Sequence, residues 1–137
     1  MREVDRLTVT TYHTPSLLLM EAAANACLQA LETHFDGNLN GKKALVLCGK
    51  GNNGGDGAAL ARALSRSGVH CDVVLCGKLE ETTGDARTNF EATGRLASFE
   101  AGSASTPAPL TFVECVDVAA WEDIAPRRKT YDLIVDA

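Results

Sequence analysis

The residue types best suited to chemistry in this 137-residue chain are gathered in one glycine-rich segment, residues 49–57. Asn52, Asn53 and Asp56 are interleaved there with four glycines in seven residues, which allow a sharp turn and a close approach to a ligand. Backbone N–H groups at the start of a following helix favour an anion such as a diphosphate. Amide and carboxylate oxygens suit a hard cation or a polar heterocycle. The segment therefore predicts a ligand-binding site.

Two well-known phosphate-binding loops fit this segment poorly. Gly49, Gly51 and Gly54 match the spacing G-x-G-x-x-G, but the acid that reads a ribose about 20 residues further on is missing from LCGK at residues 75–78. An ordinary NAD-dependent dehydrogenase is therefore disfavoured. A Walker A loop needs Ser or Thr after its Gly-Lys pair, and here Lys50 is followed by glycine. Lys50 remains a candidate for a phosphate contact.

Hydrophobic periodicity predicts strands and helices that alternate around this segment. Apolar residues spaced three or four apart predict a long helix that begins near Ser16 and ends at Asp36 (Leu17, Met20, Ala24, Leu28, Leu31, Phe35). A shorter helix is predicted over residues 1–9. Further strands are predicted over residues 42–48, 69–76, 96–99, 112–116 and 131–135, and further helices over residues 58–67, 83–93 and 118–124. Gly68 and Gly94 are expected to end helices, and residues 102–109 to form a loop.

Alternation of this kind predicts an α/β fold of the Rossmann-like type, with three αβα layers, a mainly parallel sheet and N-terminal helices. In the common doubly wound order, the fourth strand lies beside the first. That order brings residues 52–56 and Asp136 to one crevice. We expect a single domain over residues 1–137, incomplete at its C-terminal end because the chain stops directly after a strand.

Composition excludes several classes of function. Lys plus Arg is 13 and Asp plus Glu is 18, so no basic excess exists to bind nucleic acid. No apolar run approaches the roughly 20 residues that a membrane span needs. The charged N-terminus lacks an apolar signal core, which predicts a cytoplasmic location. Five cysteines without C-x-x-C spacing argue against a disulfide framework or a zinc site.

The glycine-rich segment resembles the hallmark of the YjeF N-terminal domain family, the NAD(P)H-hydrate epimerases. Three further segments resemble the family in the same order: the opening Met1-Arg2 with Asp5, the LLME of residues 18–21, and the DLIVDA of residues 132–137. Two departures stand out. Ala22 and Ala24 replace the family's Asn and Gly, and the "L-F-G-T-G" half of the last motif is absent.

The resemblance implies an isomerase that interconverts the R and S forms of hydrated NADH and NADPH at C6 of the nicotinamide ring. It implies that Asn52, Asn53, Gly54, Gly55 and Asp56 contact this substrate and that Asn53 and Asp136 bind a potassium ion. It places the acid–base residues beyond Ala137, so the chain alone is expected to be inactive. It also implies a homodimer, with the N-terminal helices as candidates for the interface, and a fused or separate ADP- or ATP-dependent dehydratase.

Other interpretations stay open. The family's domain also occurs as a non-catalytic binding or scaffold module, for which a relaxed loop and a basic face are expected. A small-molecule kinase of the ribokinase type would place its catalytic loop far along a longer chain. Asp56 could instead cap the following helix, and Asp136 could cap the next turn.

Overall fold

The computed structural model describes residues 2–102, 110–124 and 130–137. Two helices come first, and strands and helices then alternate. The helices are α1 (Arg2–Tyr12), α2 (Ser16–His34), α3 (Asn52–Arg66), α4 (Gly84–Ala101) and α5 (Val118–Ile124). The strands are β1 (Lys43–Cys48), β2 (His70–Cys76), β3 (Leu110–Cys115) and β4 (Leu133–Asp136), and a single 3-10 turn spans Leu79–Glu81.

The four strands form one parallel sheet in the order β3-β2-β1-β4. The fourth strand thus lies beside the first, which confirms the doubly wound order and the Rossmann-like α/β fold predicted from the sequence. Val46 of β1 pairs in register with Val73 of β2 on one side and with Val135 of β4 on the other. Because all strands run the same way, their carboxyl ends share one edge of the sheet.

The core lies between the sheet and the layer formed by α2, α3 and α4. Alternate residues of β1 and β2 point into it and are fully buried (Ala44, Val46, Cys48, Cys71, Val73, Leu75). Helix α3 presents a run of alanines and leucines to them, and α4 adds Phe90. Helix α5 packs on β3, so helices cover both sides of the sheet. Among the described helices, none has both the length and the apolarity that crossing a bilayer requires.

A partly buried arginine links the three helices of this layer. The guanidinium of Arg62 on α3 forms an ion pair with Glu21 of α2, and the Arg62 side chain is only 16% exposed. On the α4 side it donates to the backbone oxygen of Asn89 at 3.0 Å, to the Asn89 side-chain oxygen at 2.6 Å and to the hydroxyl of Thr93 at 3.2 Å. Burial lowers the pKa of Arg62, and the Glu21 carboxylate opposes that effect. The charge is therefore kept because it is paired.

Two sequence-based predictions about helices are wrong. The helix after β1 begins at Asn52 rather than at residue 58, so residues 52–57 of the glycine-rich segment belong to its first two turns. Helix α4 does not end at Gly94 but runs to Ala101, and residues 96–99 are helical rather than a strand. In both places packing overrides the low helix propensity of glycine. Ala97 is 8% exposed, and Leu96 packs against the core.

The remaining elements were predicted within a few residues. The first helix extends from Arg2 to Tyr12 rather than over residues 1–9. The last strand begins and ends slightly later than residues 131–135. Gly68 follows α3 with a φ of +81°, as expected of a glycine that ends a helix. Of the predicted loop over residues 102–109, Gly102 caps α4 and the rest lies outside the described residues.

Candidate functional site

The candidate site lies at the carboxyl edge of the sheet, where β1 ends and α3 begins. The N–H of Gly49 donates to the carbonyl oxygen of Ala137 at 2.6 Å, and the N–H of Ala137 donates to the carbonyl oxygen of Leu47 at 2.9 Å. The end of β4 is therefore bound directly to the loop after β1. These bonds place Asp136 at the same edge as the start of α3, as the sequence predicts.

Three of the five glycines of this segment are required by contacts inside the chain. A Cβ added to Gly54 would lie 1.8 Å from the carbonyl oxygen of Gly49. At Gly55 it would lie 2.8 Å from the Cα of Ala86 on α4, and at Gly57 it would lie 2.7 Å from the Cβ of Ala137, the residue after β4. All three glycines are buried. Their absent side chains allow α3 to begin directly against the loop, against α4 and against the sheet.

The polar residues of the segment take different positions. Asn52 and Asn53 are exposed in the first turn of α3, and Asp56 is half-buried one turn further on. The N-cap of the helix is Gly51, with extended backbone and no capping side chain. Asp56 therefore lies inside the helix, and the alternative that it caps the helix is wrong. Gly54 and Gly55, also predicted to contact substrate, are buried against the chain itself.

Asn53 and Asp136 approach the shared edge from different sides of the sheet. On β4, Leu133 and Val135 pack against the core, so Asp136 alternates to the opposite side and is exposed there. Asn53 belongs to the helical layer. A ligand that touched both side chains would lie over the carboxyl end of β1.

The donor chemistry of this pair fits a hard cation, because an amide oxygen and a carboxylate are oxygen ligands. Within the described ranges no three His, Cys, Asp or Glu residues form a group that could hold a metal ion. A cation held by Asn53 and Asp136 would take its other oxygens from the backbone, water or a ligand.

Lys50 is the basic residue of the loop between β1 and α3, and its side chain faces the acidic residue Glu81. Its ammonium lies 3.4 Å from a carboxylate oxygen of Glu81, and both side chains are about half exposed. Glu81 also accepts a hydrogen bond from the N–H of Lys78 at 3.0 Å. The hydrogen bond from Lys78 and then the charge of Lys50 hold the pKa of Glu81 below its usual value. A phosphate contact for Lys50 would therefore compete with Glu81.

Glu81 is an acid near the end of β2 that the sequence analysis missed. A ribose-reading acid is expected at residues 75–78, whereas this carboxylate belongs to the 3-10 turn that follows them. Lys50 and Glu81 both lie over Gly77, whose φ of +140° and missing Cβ leave room for them. Lys78 is not one of the residue types that signal a helix start, so the sequence carries no capping pattern that would have indicated this turn.

The arrangement can bind and orient a polar ligand. The first turn of α3 offers backbone N–H groups without a side-chain cap, which favour an anion. Two exposed amides and a carboxylate lie at the same edge and can hydrogen-bond to a heterocycle or hold a cation. These features supply recognition and electrostatic positioning at one place, over the carboxyl end of β1.

Comparison with known proteins gives one consistent result. The model of the family described as YjeF-related protein N-terminus matches residues 16–137. The chain is 38% identical over 138 residues to the "Bifunctional NAD(P)H-hydrate repair enzyme Nnr" of Salinibacter ruber, a match that covers 100% of this chain and 24% of the relative. The enzyme of the same name from Moorella thermoacetica is 44% identical over 91 residues, covering 66% of this chain and 17% of the relative.

A shorter relative carries the epimerase name alone. The "NAD(P)H-hydrate epimerase" of Weissella koreensis is 44% identical over 77 residues, covering 56% of this chain and 34% of the relative. In all three comparisons the matched region is about a third of the relative's length or less.

Proposed function

The chain belongs to the family described as YjeF-related protein N-terminus, and on this premise we propose that it forms part of an NAD(P)H-hydrate epimerase. The proposed reaction interconverts the R and S forms of hydrated NADH and NADPH at C6 of the nicotinamide ring. The names of the Weissella koreensis and Salinibacter ruber relatives support this activity. The protein would then act as an isomerase in the repair of nicotinamide cofactors.

The observation that carries the proposal is that exposed polar residues lie at one edge of the sheet, at the carboxyl ends of β1 and β4. Asn52 and Asn53 begin α3 there, and Asp136 ends the neighbouring strand. The carbon to be inverted carries a hydroxyl and adjoins the ring nitrogen. Its configuration is exchanged by opening and reclosing a bond, which needs proton transfer and no redox step. Groups that fix the ring and its hydroxyl would therefore promote the reaction.

Each residue has a proposed role in that complex. The amides of Asn52 and Asn53, with Asp56 and the backbone of Gly54 and Gly55, would contact the hydrated cofactor. Asn53 and Asp136 would hold a potassium ion, whose charge would help to fix the substrate. The free N–H groups of α3 would attract a phosphate of the cofactor. The groups that move the proton are proposed to lie beyond Ala137.

Two partners and a location belong to the same proposal. The bifunctional relatives support a dehydratase fused to this domain or acting with it. A homodimer through the N-terminal helices is supported by exposed apolar side chains on α1 and α2, where Val4 is 64%, Tyr12 77% and Leu18 57% exposed. Free thiols at all five cysteines fit a reducing compartment such as the cytoplasm.

An assay of the full open reading frame tests the activity. A mixture of R and S NADH hydrate is supplied with an S-specific dehydratase, and recovery of nicotinamide absorbance is followed with and without potassium. We expect the R portion to recover quickly only when this protein is present, and faster with potassium. Recovery at the spontaneous rate with a folded protein would contradict the proposal and favour a non-catalytic binding module.

A further inference from the structure

Two cysteines are neighbours on adjacent strands close to the candidate site. Cys76 is the last residue of β2 and Cys115 is the last residue of β3, and the two are register partners. Both lie on the side of the sheet shared by Asp72 and Thr111, which hydrogen-bond to each other at 2.7 Å. Adjacent strands are about 4.8 Å apart, within the range of about 4.4–6.8 Å between Cα atoms that a disulfide spans.

The backbone holds this pair together and leaves it accessible. The N–H of Gly77 donates to the carbonyl oxygen of Cys115 at 2.9 Å, so the chain after Cys76 is fastened to the partner strand. Cys76 is exposed and Cys115 is half-buried. Because both are terminal residues of their strands and a glycine follows Cys76, a small rotation can bring the two sulfurs within bonding distance.

The other three thiols are poor competitors. Burial raises the pKa of Cys48 and of Cys71 to about 12, so both remain protonated and unreactive near neutral pH. Cys27 is exposed on α2, on another element of the chain. Cys76 is exposed whereas Cys115 is half-buried, so an oxidant from solvent meets Cys76 first.

We propose that Cys76 and Cys115 are a redox modification site that closes to a disulfide under a peroxide oxidant. Hydrogen peroxide converts the thiol of Cys76 to a sulfenic acid and releases one water. The thiol of Cys115 then attacks that sulfur, the S–O bond breaks and a second water leaves. Two thiols lose two hydrogens and two electrons, and one peroxide is reduced to two waters.

The pair of Cys76 and Cys115 lies close enough to the loop between β1 and α3 to affect it. Cys76 directly precedes Gly77, and a Cβ on Gly77 would lie 2.7 Å from the side chain of Lys50. Movement of Cys76 toward Cys115 therefore acts on the ion pair of Lys50 with Glu81. The proposal concerns the thiols alone and does not depend on the epimerase activity.

Peptide mapping of the full-length protein tests the disulfide. The protein is treated with stoichiometric hydrogen peroxide, alkylated and digested with trypsin. Cys76 lies in the peptide of residues 67–78 and Cys115 in that of residues 96–127. We expect most molecules to yield these two peptides joined, lighter by two hydrogens than their sum, and to lose the link on reduction with dithiothreitol. Fragment ions distinguish Cys76 from Cys71, which shares its peptide.

Variants complete the test. Cys76→Ser and Cys115→Ser should each abolish the linked peptide, and the matched variant Cys27→Ser should keep it. The proposal is overturned if Cys76 and Cys115 are both recovered as alkylated thiols or higher acids after peroxide treatment. It is equally overturned if the link runs through Cys71 or joins two chains. The fragment assignment needs no variant, so it remains decisive if a serine variant fails to fold.

Discussion

Replacing Gly54 with alanine gives a sharp test of how the glycine-rich segment is built. The new Cβ would lie 1.8 Å from the carbonyl oxygen of Gly49, far inside the 3.0 Å that real Cβ atoms keep. Both groups are backbone, so relief requires moving the loop and weakening the bond from Gly49 to Ala137. Overpacking of this kind costs about 3 kcal/mol and the lost hydrogen bond about 1 kcal/mol, whereas alanine gains about 1 kcal/mol of helix propensity. We expect a net loss of about 3 kcal/mol.

The same substitution at Gly94 is the matched control. Gly94 also lies inside a helix, but an added Cβ would meet the ring of Phe112 at 3.4 Å, an ordinary contact. Gly94→Ala should therefore raise the free energy of unfolding by about 0.5–1 kcal/mol. Urea unfolding followed by circular dichroism and by the fluorescence of Trp121 measures both changes. A Gly54→Ala protein that is as stable as its parent would refute the reasoning.

Three further predictions concern the site and its support. Asn53→Ala and Asp136→Ala, made in the complete protein, should each slow epimerisation about 10²-fold and remove its dependence on potassium, as measured in the coupled absorbance assay. Arg62→Met should lower the free energy of unfolding, measured in urea, by about 2 kcal/mol, because its partners on α2 and α4 lose a charged donor. The expected loss is kept at this size because the Glu21 carboxylate is partly exposed and can be hydrated instead. Glu81 should titrate below the usual 4.5 in a carbon-13 NMR experiment, and Lys50→Ala should raise its pKa without restoring it fully, because the backbone hydrogen bond remains. Since this pKa is lowered on folding, the stabilisation by Glu81 is present above the unfolded value and lost as pH falls through the folded one.

The first two of these predictions have matched control variants. Asn25→Ala on α2 and Asp123→Ala on α5 remove the same groups from exposed positions away from the site and should leave the rate unchanged. Arg66→Met, on the exposed face of the same helix, should change stability by less than about 0.5 kcal/mol. Equal losses at Asn25 and Asn53, or a Glu81 titration that Lys50→Ala leaves untouched, would contradict the assignments.

Four of the five predicted strands are present, and the order of β1, β2 and β4 was predictable because the signals of these strands are local and strong. Two apolar runs that end in glycine predicted β1 and β2. The common doubly wound order of α/β folds then predicted that the last strand lies beside the first, as it does. That order alone brought Asp136 to the edge where α3 begins. The position of the candidate site at this edge can therefore be predicted from the strand order alone, without any side-chain contact.

The start of α3 could not be predicted, because glycine disfavours a helix in isolation. Glycine is needed at positions 54, 55 and 57 because other segments of the folded chain lie too close to leave room for a Cβ. This closeness is a property of the fold and cannot be read from the local sequence. The end of α4 was placed at Gly94 for the same reason, although the helix continues through this glycine and buries Ala97. Glu81 was missed because a turn returns its carboxylate toward a strand that had already ended.

The pairing of Arg62 with both neighbouring helices has a consequence for how the molecule opens. Helix α3 cannot separate from α2 without losing the ion pair of Arg62 with Glu21, nor from α4 without losing the hydrogen bonds of Arg62 to Asn89. The amides of the three helices should therefore exchange with deuterium in one concerted step. Strand β4, four residues long and hydrogen-bonded only to β1 among the described strands, should exchange earlier and alone. Asp136 would then lie on a strand that opens early, beside the start of a helix that opens only together with its two neighbours.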